Sequence, residues 1–122
     1  MRTITLEEHF ASPGFFDGPG RALKAQALKF GGAAEKLLEQ LCDVGEKRIS
    51  EMDVARIDMQ VLSLTSAGTE QIEAADAMAL AVEANNFLAD AVKKNPARFA
   101  GFAALPTANA GQICRRIGAD GP

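Results

Sequence analysis

Glu7 and His9 stand two residues apart at the end of an apolar opening stretch, TITLEEHF, residues 3–10. Alternate side chains of an extended chain share a face, so this carboxylate and imidazole project together while Glu8 turns away. A carboxylate and a neutral imidazole on one face suit a divalent cation such as zinc or manganese. The spacing alone is common in proteins, and the competing reading is a polar strand end in which His9 is simply hydrogen-bonded. His9 is also the only histidine in the 122 residues. Two donors are one short of the three protein ligands that a catalytic zinc site takes.

The elements that would position this pair alternate along the chain. A strand is expected from Arg2 to about Glu8, where β-branched and apolar residues cluster. The stretch ASPGFFDGPG, residues 11–20, reads as a loop. Residues 21–41 read as helix in pieces, interrupted at Gly31-Gly32. A helix is expected over Glu46–Ile57, with Ile49, Met52 and Ala55 buried. MQVLSLT, residues 59–65, is a nearly continuous apolar strand, as in parallel sheets covered on both faces. Thr69 is expected to cap a long helix that buries Ile72, Ala75, Ala79, Val82 and Leu88 and stops at Asn95-Pro96. RFAGFAALP, residues 98–106, reads as a third strand. Strand, helix, strand, helix, strand predicts an α/β fold with a parallel sheet. In such folds ligands bind at the C-terminal ends of the strands, where Glu7 and His9 lie.

Composition narrows the function classes. A hydrophobic share of 48% and a net charge of −3 fit a globular domain. The acidity and the small size of the VKK and CRR clusters argue against nucleic acid. No apolar run reaches the ~18 residues of a membrane span, and no signal-peptide pattern opens the chain. Cys42 and Cys114 form no C-x-x-C motif and are expected to be reduced thiols in a cytoplasmic protein.

Three blocks together resemble one family: ITLEEHF at the start, EKRISEMDVARIDMQVLSLTSAG at residues 46–68, and ANNFLADAVKKNPARFAGFAALP at residues 84–106. They are similar to the amidohydrolase-related metal-dependent decarboxylases, the group around 2,3-dihydroxybenzoate and γ-resorcylate decarboxylase. The Glu-x-His form at the first strand is that of the hydroxybenzoate decarboxylase branch, where hydrolytic amidohydrolases usually carry His-x-His. The resemblance implies a (β/α)8 barrel with one divalent metal, zinc or manganese, and matches Glu7 and His9 to its first two ligands. It implies a small aromatic carboxylic acid as substrate, gripped through its carboxylate and a neighbouring hydroxyl. It also places Phe15 and Phe16, and Thr65 and Ser66, on the active-site face as candidate substrate-lining residues.

Such a barrel needs about 250 residues. Residues 1–109 would supply about three of its strands, and the family's later metal histidine and catalytic aspartate lie beyond the matching region. Residues 110–122, AGQICRRIGADGP, depart from the acidic helix that the family has there. One permitted back-translation of this tail, shifted by one base, reads as the start of an acidic amphipathic helix, so a change of reading frame is expected. The leading expectation is thus a truncated decarboxylase relative, inactive by itself, whose bare sheet edges favour self-association. The alternatives are a metal-dependent hydrolase of the same superfamily, an enzyme completed by self-association, and a non-enzymatic α/β interaction module. Self-association would only repeat Glu7 and His9, which counts against completion.

Overall fold

The computed structural model describes residues 1–107. The tail at 110–122, with Cys114 and the expected frame change, lies outside the described residues. The elements run β1 (Ile4–Phe10), α1 (Pro13–Asp17), α2 (Arg21–Phe30), α3 (Ala33–Cys42), α4 (Glu46–Val54), β2 (Met59–Leu64), α5 (Ala74–Lys94) and β3 (Phe99–Gly101). The three strands form one parallel sheet in the order β1-β2-β3. This is the expected α/β architecture, with β1 and β3 as unpaired edges within the described residues.

The stretch expected to be a loop after β1 contains a short helix. Ser12 caps α1 by accepting from the Phe15 amide at 3.3 Å, and Pro13 opens the helix where a missing N–H costs nothing. Glu83 of α5 anchors this turn from 71 residues away: its Oε2 accepts from Ser12 Oγ at 2.6 Å. Its Oε1 accepts from the Gly14 amide at 3.2 Å. The break at Gly31-Gly32 is where the sequence puts it, because both residues hold positive φ, 57° and 55°.

Helix α4 is shorter than expected, and of its expected inner residues Met52 is buried and Ile49 packs half-buried against the core. It ends at Val54, and Arg56 takes a φ of 58° that turns the chain into β2. Its buried residues are Arg48 and Met52, four apart, whereas Ala55 is exposed. Helix α5 begins at Ala74 rather than Thr69. Thr69 is buried and donates its hydroxyl hydrogen to the Leu105 carbonyl at 2.8 Å, which ties the loop after β2 to the loop after β3. The buried stripe of α5 is Ala77, Leu80, Ala81, Ala84, Leu88 and Ala91, and Val82 faces solvent. Alanines bring this helix close to the sheet, so the larger residues are a poor guide to its inner face. The helix ends at Asn95 as expected.

The main core lies between the sheet and α4 and α5. It contains Phe10, Met52, Leu62, Ala84, Leu88, Ala91 and Phe99, with Phe10 stacked on Phe87 at 6.0 Å. A second cluster joins Ala11, Phe15, Phe16 and Leu80. Strand β3 is only three residues long. Beyond it Asn85 grips the chain twice, donating to the Ala104 carbonyl at 3.0 Å and accepting from the Ala104 amide at 2.7 Å. Among the described residues no helix covers the opposite face of the sheet. There Ile4 and Leu6 are 45% and 61% exposed. Among the described residues no helix is long and apolar enough to cross a membrane.

Candidate metal centre

The face on which Glu7 and His9 lie is set by an irregularity in β1. Thr5 pairs with Gln60 and Glu8 with Leu62, so two residues, Leu6 and Glu7, stand opposite the single residue Val61. This bulge shifts the alternation by one. Glu8 and Phe10 therefore follow Leu62 and Leu64 toward the helices, and Glu7 and His9 are exposed on the bare face. Next to the bulge, Thr5 Oγ1 is buried without a hydrogen-bond partner among the described residues.

Two neighbours fix His9. Ser63 of β2 is directly opposite, its Oγ 3.3 Å from His9 Nδ1. Behind the strand, Arg48 of α4 donates from Nη2 to the His9 carbonyl at 3.0 Å and to the Gln40 carbonyl at 2.8 Å. Arg48 also donates to the Gln60 side-chain oxygen at 3.2 Å and, through Nε, to the Asp43 carbonyl. Burial pushes the Arg48 pKa below its ordinary value, and the carboxylates of Glu8, Asp43 and Glu51 oppose that shift. Sequence reading did not single out Arg48. The available signal is its i, i+4 spacing with Met52, which puts both on one side of α4.

Thr65 and Ser66, at the end of β2, line one groove with His9, Ser63, Phe102 and Leu105. The structure therefore brings these two candidates to the histidine. It places Phe15 and Phe16 elsewhere, 1% and 6% exposed in the cluster against Leu80 of α5, with their rings edge to face at 5.5 Å. Their apolar bulk fills the gap between α1 and α5 instead of lining the groove.

A carboxylate and an imidazole on one exposed strand end can serve as two donors to a divalent ion, so Glu7 and His9 fit part of a metal site. No group of three His, Cys, Asp or Glu side chains able to hold a metal occurs among the described residues.

No protein-family model matches the chain. Curated relatives do. The chain is 36% identical over 105 residues to the γ-resorcylate decarboxylase of Polaromonas sp. strain JS666, covering 84% of this chain and 30% of the relative. It is 36% identical over 104 residues to that of Rhodococcus jostii strain RHA1, with the same coverage of 84% and 30%. The chain thus spans 30% of the length of these curated relatives. Among solved structures it is similar to the 5-carboxyvanillate decarboxylase of Novosphingobium aromaticivorans, complexed with manganese and 4-hydroxy-3-methoxy-5-nitrobenzoic acid. That match has a TM-score of 0.80 and 32% identity, covering 98% of this chain and 39% of the other. The Polaromonas dihydroxybenzoic acid decarboxylase, with bound manganese and 2-nitroresorcinol, matches with a TM-score of 0.75 and 33% identity over 96% of this chain and 34% of that one. A putative amidohydrolase of Staphylococcus aureus shares the fold at a TM-score of 0.57 and 25% identity, over 98% of this chain and 34% of that one. By sequence and by fold, the chain is similar to about the first third of these decarboxylases, and its three parallel strands correspond to part of their fold.

Proposed function

We propose that Glu7 and His9 are the first-strand ligands of a divalent metal site, zinc or manganese. In this reading the whole protein to which such a chain corresponds is a non-oxidative decarboxylase of hydroxybenzoate-type acids. The observation that carries it is the exposed pair at the end of β1, of which His9 lines the groove with Thr65 and Ser66. When bound, the ion supplies an electrophilic anchor for the substrate carboxylate and its neighbouring hydroxyl. The chain's own residues have narrower tasks. Glu7 and His9 supply donors, Ser63 and Arg48 hold His9, and the Thr65 and Ser66 hydroxyls offer hydrogen bonds to a polar substrate in the groove. With two donors from β1, residues 1–107 hold the ion weakly and leave the reaction without its full site.

Manganese titration of the purified chain, read by the loss of the free-ion electron paramagnetic resonance signal, tests the ligands. Weak binding that disappears in Glu7→Gln and in His9→Gln is expected, and binding unaffected by either change would remove the pair from the site. The same samples incubated with 2,6-dihydroxybenzoate are expected to release no carbon dioxide. Metal-dependent release would show that the chain is catalytic by itself.

The bare face also governs association. Ile4 and Leu6 are exposed there, beside the unpaired edge of β1. Sedimentation is expected to show concentration-dependent association of the native chain, reduced in Leu6→Lys. A native chain that sediments as a monomer at all concentrations would contradict this.

A further inference from the structure

We propose that Ser63 is a positioning residue that selects the protonation form of His9, keeping hydrogen on Nδ1 and leaving the Nε2 lone pair for a ligand. Parallel register sets Ser63 opposite His9, and its Oγ has two polar neighbours. One is His9 Nδ1 at 3.3 Å. The other is the carbonyl of Glu8 at 3.5 Å, the longer and weaker contact. A hydroxyl has one hydrogen to give, and a carbonyl can only accept. With that hydrogen directed at Glu8, the remaining contact requires the imidazole to donate from Nδ1 to the hydroxyl oxygen. In the neutral ring the free lone pair is then on Nε2. The hydrogen bond at one ring nitrogen decides which form the other nitrogen takes.

The location supports a role toward a ligand. Ser63 lies on the uncovered face of the sheet, where a serine is not needed for packing, and it lines the same groove as His9, Thr65 and Ser66. The use of the Nε2 lone pair for a metal rests on the function proposed above; the choice of tautomer does not.

His9 is the only histidine of the chain, so a sample labelled with 15N histidine gives one pair of ring nitrogen resonances. At about pH 8.5 the two shifts report which ring nitrogen carries hydrogen. No metal is added, so failure of metal binding and failure of the tautomer assignment are separate results. The native chain is expected to show Nδ1 protonated and Nε2 bare. Ser63→Ala is expected to shift the ratio about threefold toward the Nε2–H form that free imidazole side chains favour in water, as losing one modest hydrogen bond implies. Ser63→Thr retains the hydroxyl on a strand-favouring residue and is expected to restore the native ratio. Magic-angle spinning reads the same shifts if the chain associates. A predominant Nε2–H form in the native chain would show that Ser63 donates to His9 and would overturn the proposal. So would a ratio that Ser63→Ala leaves unchanged.

Discussion

Arg48→Met is expected to remove most of the chain's stability, about 4 kcal/mol, seen as loss of the cooperative urea transition followed by circular dichroism. Methionine keeps much of the side chain's length and none of its donors. The guanidinium satisfies the carbonyls of His9, Gln40 and Asp43 and the side chain of Gln60, from a site 9% exposed. A buried carbonyl left without a donor costs about 1–3 kcal/mol, and three of them lose one here. Partial access of water at the β1 edge keeps the sum toward the lower end of that range. Domains hold only about 5–15 kcal/mol in total, so the loss is close to complete unfolding. Arg48→Lys preserves the charge but concentrates its donors at one point, and an intermediate loss of about 2 kcal/mol is expected. A methionine variant within 1 kcal/mol of the native chain, on the same principle of net hydrogen-bond worth, would show that water replaces the guanidinium.

Gly20→Ala is expected to cost about 3 kcal/mol, at the upper end for overpacking, for a purely steric reason. Gly20 has φ −82° and ψ 0°, a backbone that alanine adopts without strain. The added Cβ, however, would lie 2.4 Å from Phe15 Cε1, 2.6 Å from Cδ1 and 2.9 Å from the Phe15 carbonyl oxygen. That ring cannot retreat, because it is 1% exposed and packed against Phe16 and Leu80. Nor can the carbonyl, which accepts from the Gly20 amide at 2.8 Å and from the Gly18 amide at 3.2 Å. Gly31→Ala is the informative comparison. Nothing lies within 4 Å of its added Cβ, but its φ of 57° with ψ −172° lies in a region open essentially to glycine alone, a strain of about 1–3 kcal/mol. Thermal unfolding of both variants should rank Gly20→Ala as the more damaging. The reverse order would mean that Phe15 repacks freely.

Local signals carried the alternation of strands and helices, the break at Gly31-Gly32 and the end of α5 at Asn95, because each depends on nearby residues alone. What escaped sequence reading depends on distant partners. The helix in residues 13–17 is secured by Glu83, 71 positions away. Arg48 is buried because its acceptors include the carbonyl of His9, 39 positions earlier. Thr69 serves Leu105, 36 positions later, instead of capping α5. The aromatic pair Phe15 and Phe16 looks equally suited to a loop or to a core until α5 supplies the surface that covers it. For the site, the sharing of a face by Glu7 and His9 was legible from alternation, as was the nearness of Thr65 and Ser66 to the strand ends. The partnership of Ser63 with His9 requires the pairing register, which sequence alone does not give.

The extra residue in β1 also makes a change of pairing a different kind of change here from substitution. Without the bulge, the same residues paired in regular step from Thr5 would set Glu7 opposite Leu62 and His9 opposite Leu64, turned into the helical layer, while Glu8 and Phe10 came out onto the open face. Every residue of the pair would be present, in its original order and spacing, and the centre would be gone. Two related chains could therefore both contain Glu-x-His and differ in whether it reaches the barrel interior. The way the strand pairs with its neighbour is as much a part of the inherited site as the motif itself.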